Sequence, residues 1–312
     1  MSKLLKLEAI TNKHNLTIDY MLTFRCNYNC SYCTSHDINH PLHKYSVEEI
    51  SESLNYLSSL YKDKKIQLIL LGGEPFLYKD LLKLITNLKD TFMRIRITTN
   101  LSISLAYIKK NFINFNRDKL RIVASYHPEF SNPDEFIEKI LFLQKLNYSI
   151  GCTVMMHPDN KLFAKSLYIL NKLPKTARAA SLWKMDDHNH IFGNVYKYTE
   201  SQRKEINKFK FIDSQSYVKA TYEDKITYPS VNEIILQNLD NFKGMKCYAG
   251  YEKLHITENG DVYPSACFLK YPNVRLGNMF KKTVRVPTSI VTCPFTFCRC
   301  DTDVRITKET QK

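Results

Sequence analysis

No stretch of the 312 residues approaches the ~20 consecutive apolar residues of a membrane-spanning helix. Met1-Ser2-Lys3 leads into Leu4 and Leu5 with neither a long apolar core nor a small-residue cleavage site. No signal peptide and no membrane partner are therefore expected. Nowhere do five or more Lys and Arg run together, although the formal net charge is +14. A basic surface attracts nucleic acid, nucleotide sugars, acidic peptides or lipid. Here Lys, Asn, Ile and Tyr are spread throughout, so compositional drift is the plainer reading and nucleic acid an open but unfavoured partner. Disulfide logic is also missing. Nine cysteines is an odd count, and six sit in two tight groups. That pattern suits metal ligation in a reducing cytoplasm.

What is present is Cys26-Asn27-Tyr28-Asn29-Cys30-Ser31-Tyr32-Cys33, a C-x3-C-x2-C run just after the apolar stretch 18–24. Three thiolates on one loop can hold three irons of a 4Fe–4S cluster and leave the fourth iron open. A zinc knuckle is the alternative, but zinc sites pair C-x2-C type units and a fourth nearby cysteine is lacking.

With 44% hydrophobic residues the chain can bury a substantial core, and its length suggests roughly two domains. Strand-like runs at 18–24, 66–71, 94–98, 120–125, 148–156 and 177–185 alternate with helix-like runs. Ser46 and Glu49 form a capping box before Val47, Ile50, Leu54, Leu57 and Leu60 at helical spacing. Asn132-Pro133-Asp134-Glu135 is another helix start. Six βα-type units in order, the last helix unclear, imply a parallel sheet with right-handed crossovers. Residues 186–241 are polar, with helical hints at 200–209 and 231–239, and read as a bridge. The expected division is 1–190, 191–241 and 242–312.

Sites in parallel α/β barrels lie at the C-terminal ends of strands. After the second strand comes Gly72-Gly73-Glu74-Pro75, glycines for close backbone approach and a carboxylate for an ammonium group. A simple turn is the alternative. After the third comes Thr98-Thr99-Asn100, a ligand site or an Asn-terminated turn. After the fourth come Ser125 and His127, the histidine an acid–base group or a structural residue before Pro128. Met155-Met156-His157-Pro158 reads as a lining wall. Asp186, Asp187 and His188 are substrate groups or a solvated loop. Cys152, inside the fifth strand, is a buried apolar residue or, facing a cavity, a hydrogen donor to a substrate radical.

The second cysteine group is Cys247, Cys267, Cys293, Cys298 and Cys300. Between the first two, residues 256–263 read as a hairpin with a type I′ turn at Asn259-Gly260.

The N-terminal run, with Tyr32 before its last cysteine, resembles the signature of the radical S-adenosylmethionine (SAM) superfamily. Gly72-Gly73-Glu74, one βα unit later, matches that family's GGE motif. The resemblance implies an α/β fold with a partial (β/α)6 TIM-type barrel. It implies a 4Fe–4S cluster on Cys26, Cys30 and Cys33 whose open iron chelates the amino and carboxylate groups of SAM. Reductive cleavage would then give a 5′-deoxyadenosyl radical that abstracts a substrate hydrogen. It places SAM contacts at Tyr32, Gly72, Gly73, Glu74, Pro75, Thr99, Asn100 and Ser125. The C-terminal group resembles the twitch form of the SPASM extension and implies one auxiliary 4Fe–4S cluster. Its ligands are expected to be Cys247, Cys267, Cys298 and Cys300, with Cys293 an alternative for one place and zinc an alternative metal. A reductase such as flavodoxin or ferredoxin is the implied electron donor.

The expected substrate is a small polar molecule undergoing oxidation or rearrangement. A ribosomal peptide being epimerised or crosslinked comes second, and a nucleotide or nucleic acid third. A different class stays in view, a non-catalytic iron–sulfur or zinc module that binds nucleic acid.

Overall fold

The computed structural model describes residues 2–10, 15–33, 39–41, 44–185, 192–209, 217–269 and 271–311. Strand β1 (Leu4–Ala9) precedes six βα units. β2 (Leu16–Thr23) leads to α1 (Val47–Ser59), and β3 (Ile66–Gly72) to α2 (Leu81–Leu88). β4 (Arg94–Thr99) leads to α3 (Leu105–Phe112), and β5 (Leu120–Tyr126) to α4 (Pro133–Lys145). β6 (Ser149–Met156) leads to α5 (Asn160–Lys172). β7 (Ala177–Ser181) is followed by a two-stranded ribbon, β8 (Trp183–Met185) and β9 (Phe192–Val195), then α6 (Glu200–Lys208), the unit's expected but unplaced helix.

The local signals work as chemistry requires. Ser46 and Glu49 exchange the reciprocal hydrogen bonds of a capping box. Asn132 accepts from Asp134 N and Glu135 N with Pro133 at the first helical position. The strand expected over 177–185 breaks at Leu182, because the Tyr198 hydroxyl accepts the Leu182 N–H at 2.8 Å where a neighbouring strand otherwise would.

β2 to β7 pair in parallel, in sequence order. Ile18, Tyr20, Leu22, Ile95, Ile97, Ala124 and Val154 pack with Ile50, Leu54, Leu84, Ile108 and Ile140 into one core between sheet and helices. Because strands alternate faces, Asp19, Arg96, Thr98, Ser125 and Arg178 point to the opposite, inner face.

The rest of the chain is woven differently from the expected division. β10 (Val218–Tyr222), β11 (Ile226–Thr227) and α7 (Val231–Leu236) come from the expected bridge. They are followed by β12 (Lys246–Cys247), β13 (Lys253–Ile256), β14 (Asp261–Tyr263), β15 (Gly277–Asn278), β16 (Val291–Thr292), α8 (Asp301–Val304) and β17 (Lys308–Glu309). One antiparallel sheet runs β11-β10-β1-β17-β12-β16, so the N-terminal strand, the bridge and the C-terminus share it. β13 joins the first sheet instead, parallel to β2. The hairpin is real, but Asn259 keeps a negative φ and only Gly260 is left-handed (φ +82°). Gly260 N donates to Thr257 O, and Thr257 N to Asp261 O. That is a type I turn with a Gly bulge, replacing the expected type I′ turn, which needs positive φ at both residues.

Helix α8 crosses the inner face. Arg178 on β7 meets Asp301 at 3.3 Å, while Lys253 on β13 meets Asp303 at 2.6 Å. The two edge strands of the parallel array thus reach residues only two apart on one helix. The sheet is curled to bring them there. Lys253 also pairs with Asp19 at 2.8 Å, and Lys253 is 1% exposed. Burial opposes ionisation of Asp19, but the adjacent ammonium outweighs it and holds the carboxyl below its usual range. Replacing Lys253 with Met leaves two buried carboxylates uncompensated. We expect a loss of about 3–5 kcal/mol in anaerobic chemical denaturation, whereas Lys83→Met, which breaks only an exposed pair with Glu48, leaves stability unchanged.

Candidate active site

The three loops after β2, β3 and β4 meet at one end of the sheet. Gly73 N donates to Thr23 O at 2.7 Å and Glu74 N to Arg25 O at 2.9 Å, so the second loop lies directly on the backbone leading into Cys26. A Cβ on Gly72 would stand 2.1 Å from Thr23 O, and one on Gly73 2.2 Å from Arg25 O. Only glycine fits at either position. Pro75 is buried and starts a short 3₁₀ turn capped by the Glu74 side chain.

Glu74 is 1% exposed. Its carboxylate accepts from Phe76 N at 3.0 Å, Thr99 Oγ1 at 2.7 Å and Asn100 N at 2.7 Å. Burial nevertheless pushes its pKa up to about 7, against the pull of those donors. Asn100 Nδ2 donates to Asn27 Oδ1 at 2.9 Å and lies 3.9 Å from Cys26 Sγ. Residues from the three sequence motifs are therefore linked by one hydrogen-bonded chain. Ser125 is buried on the inner face at the end of β5.

In the cysteine loop, Cys33 N donates to Cys30 O. Cys26 is partly buried, Cys30 buried and Cys33 exposed. Burial raises the Cys26 pKa and pushes Cys30 to about 12, with the neighbouring thiols adding to both. Soft thiol donors grouped on one loop with partial access fit an iron–sulfur cluster, whose irons would supply the positive charge that thiolates need here. Among the described residues no three His, Cys, Asp or Glu side chains converge as they would on a single metal ion.

His127 was expected to face substrate or to be structural. It is turned to the cysteine loop, with Nδ1 3.0 Å from the Tyr32 hydroxyl and 3.5 Å from Cys30 Sγ. Its ring stacks on Tyr32 at 6.0 Å, and burial lowers its pKa to about 4, so it is neutral. Two groups escaped the sequence reading. Glu129 accepts from Ser31 N at 2.8 Å and Ser31 Oγ at 2.5 Å, and faces His157 at 3.7 Å. Glu258, in the hairpin turn, accepts from Phe24 N at 2.9 Å and pairs with His40. Isolated acids far away in sequence give no local sign of such partners.

Cys152 lies at 1% exposure in the core between sheet and helices, on the side away from the inner face. Asp186 and its neighbours Asp187 and His188 lie outside the described residues.

The second cysteine group divides. Burial raises the pKa values of Cys247, Cys267 and Cys298; the Lys308 ammonium opposes this at Cys247 and Cys298, Asp303 and the other thiols add to the rise, and Cys293 belongs to the same set of interacting thiols. Lys308, 1% exposed, donates to the carbonyls of Asp303, Val304 and Ile306, and the thiols of Cys298, Cys247 and Cys293 help hold its charge. Cys300 stands apart, 3.2 Å from Thr302 Oγ1 and 3.9 Å from Lys253 Nζ.

Glu74 carries a pH signature. Its folded pKa lies above the ordinary 4.5, so its contribution to stability is full below that value and is lost as pH rises through about 7. With SAM omitted, the stability of the wild type relative to Glu74→Gln should fall by about 1.4 kcal/mol per pH unit up to about pH 7 and then level off. Denaturation midpoints of both proteins across that range check it.

Residues 20–160 match the sequence profile of the radical SAM superfamily. A Methanocaldococcus jannaschii protein, named provisionally as a glycyl-radical enzyme activating enzyme, is 38% identical over 80 residues, 26% of this chain and 30% of its own. In fold the chain is similar to Streptococcus suis SuiB (TM-score 0.56, 15% identity, 85% of this chain and 63% of SuiB). SuiB has also been crystallised with its precursor peptide SuiA. A third likeness is to anSMEcpe with bound S-adenosylmethionine (TM-score 0.54, 16% identity, 86% of this chain and 76% of that one). The chain spans under a third of the archaeal protein and under two thirds of SuiB. Residues 20–160, the part of the chain that matches the radical SAM superfamily profile, carry the three thiols, the paired glycines and Glu74 on one parallel sheet.

Proposed function

We propose that the chain is a radical SAM enzyme that holds a substrate on the inner face of its curled sheet and abstracts a hydrogen from it. The observation that carries this is the hydrogen-bonded chain from Cys26 through Asn100 to Glu74 and Thr99. It fixes a carboxylate beside the thiol loop, where the ammonium of a bound amino acid would find it. Cys26, Cys30 and Cys33 would hold the cluster. Its chemistry, when cluster and SAM are bound, is reductive cleavage of SAM to a 5′-deoxyadenosyl radical.

The chain's own residues have defined tasks in this reading. Gly72 and Gly73 let the backbone lie against the cysteine loop. Thr99 and Asn100 orient the Glu74 carboxylate. Glu129 anchors Ser31, and neutral His127 meets Tyr32 and Cys30, fixing the loop between the second and third thiols. An electron donor of flavodoxin or ferredoxin type completes the reaction. The substrate is a small polar molecule that is oxidised or rearranged. A peptide is the second reading, favoured by the fold likeness to SuiB, which binds a precursor peptide. A nucleic-acid module has no use for the buried Glu74.

An auxiliary 4Fe–4S cluster in the C-terminal part would take Cys247, Cys267 and Cys298. The fourth place falls to Cys293, which shares their surroundings, in preference to Cys300, which faces Lys253. We expect Cys293→Ala to lose about one cluster's worth of iron and its spectroscopic signal, with Cys300→Ala near wild type. Iron and sulfide analysis with electron paramagnetic resonance after anaerobic reconstitution decides between them.

The activity itself is tested by adding dithionite and SAM to the reconstituted protein. We expect 5′-deoxyadenosine from the wild type and a loss of at least about 100-fold in Cys26→Ala. Intact SAM with the wild type, or strongly salt-dependent nucleic-acid binding in its place, would end the enzyme reading.

A further inference from the structure

The inner face carries a charge that the fastening of α8 does not use. Three carboxylates stand there, Asp19, Asp301 and Asp303. Lys253 pairs with Asp19 and Asp303, and Asp301 is held by Arg178 at 3.3 Å and Arg305 at 2.5 Å. Each carboxylate is thus matched. Arg96 on β4 is a further cation there; among the described residues its side chain has no hydrogen bond, and its Nε is buried without a partner. It feels Arg305 and Arg178 as repulsive neighbours, with Asp19 and Asp301 drawing the other way. Burial lowers its pKa to about 10, still well above neutrality. A guanidinium in this state is costly unless something anionic meets it.

The surroundings are polar and similarly unused. Thr98, two residues on and therefore on the same face about 7 Å away, has a buried hydroxyl without a partner among the described residues. The register sets His255, Asp19, Ile69 and Arg96 side by side across four strands. Among the described residues, both ring nitrogens of His255 and Oδ1 of Asp19 have no hydrogen-bond partner, with these residues 4% and 3% exposed. Asn100, beside the cysteine loop, lies four residues on, just past the end of β4, about 13 Å away. A molecule anchored at Arg96 would point its far end toward the thiols.

We propose that Arg96 anchors the anionic group, a carboxylate or a phosphate, of a polar substrate, and that Thr98, Asp19 and His255 meet its hydrogen-bonding groups. This deepens the proposed function and rests on it for the word substrate, although the anion site itself does not depend on SAM chemistry. Planar guanidinium suits both oxyanions through paired N–H donors.

The test uses the reconstituted protein and two probes, succinate and inorganic phosphate, with potassium chloride at matched ionic strength. Thermal unfolding of the wild type should shift upward and saturate with one of the two probes, which names the oxyanion, while chloride does nothing. In Arg96→Met the apparent Kd should weaken about 10-fold or more, and in Arg96→Lys by less. Wild-type iron content in both variants verifies that they fold. No saturable shift in the wild type, or the same shift in Arg96→Met, overturns the proposal. Anion protection that depends on Arg96 in a protein that leaves SAM intact would uphold this site while sinking the enzyme reading. 5′-Deoxyadenosine formation with no Arg96-dependent protection would do the reverse.

Discussion

The backbone contact between residues 72–74 and residues 23–25 governs the site. Two adjacent parallel strands end within hydrogen-bonding distance, and the loops that leave them stay in contact for two further residues. Side chains at Gly72 or Gly73 would force those loops apart. Because they do not, the thiol loop and the Glu74 carboxylate are set by one rigid piece of sheet, and Asn100 from the next strand ties them together. Sites built on strand ends hold their geometry better than sites on free loops.

A second constraint lies below. The curled sheet carries polar groups on its inner face, and the C-terminal segment is fastened into it through Lys253, Asp303, Asp301 and Arg178. Of these, the Lys253–Asp303 pair is buried and the Arg178–Asp301 pair partly exposed, and removing one partner of a buried pair leaves the other charge uncompensated. The same segment carries Cys298, buried in one cluster with Cys247 and Cys293. The hairpin turn adds Glu258 to the backbone at Phe24. The C-terminal part therefore braces the cysteine loop as well as carrying its own thiols.

Much of the first part was legible because its signals are local. Capping at Ser46 and Asn132, apolar periodicity in α1 and unbroken apolar runs such as 66–71 place elements without knowledge of their neighbours. The motifs after β2 and β3 stand out for the same reason. What sequence could not reveal is who meets whom across the fold. Nothing local in the sequence gives Lys253 its place on β13 beside β2, or Glu129 and Glu258 their backbone partners Ser31 and Phe24. β1 and β10, the latter in the expected bridge, give no local sign of each other because they lie some two hundred residues apart in sequence. Cys293 and Cys300 cannot be ranked by spacing, since the difference is which of them faces Lys253. The turn at Asn259-Gly260 fits two hairpin types by composition, and the chain takes the one that leaves Asn259 at negative φ.

The central claim is that Cys26, Cys30 and Cys33 leave one iron free to take the amino group of SAM while Glu74 stands nearby. Electron–nuclear double resonance of the reduced protein with SAM labelled by ¹⁵N at its amino group reads that contact directly. The account predicts a nitrogen coupling to the cluster that disappears in Cys26→Ala. SAM bound without any such coupling would contradict it.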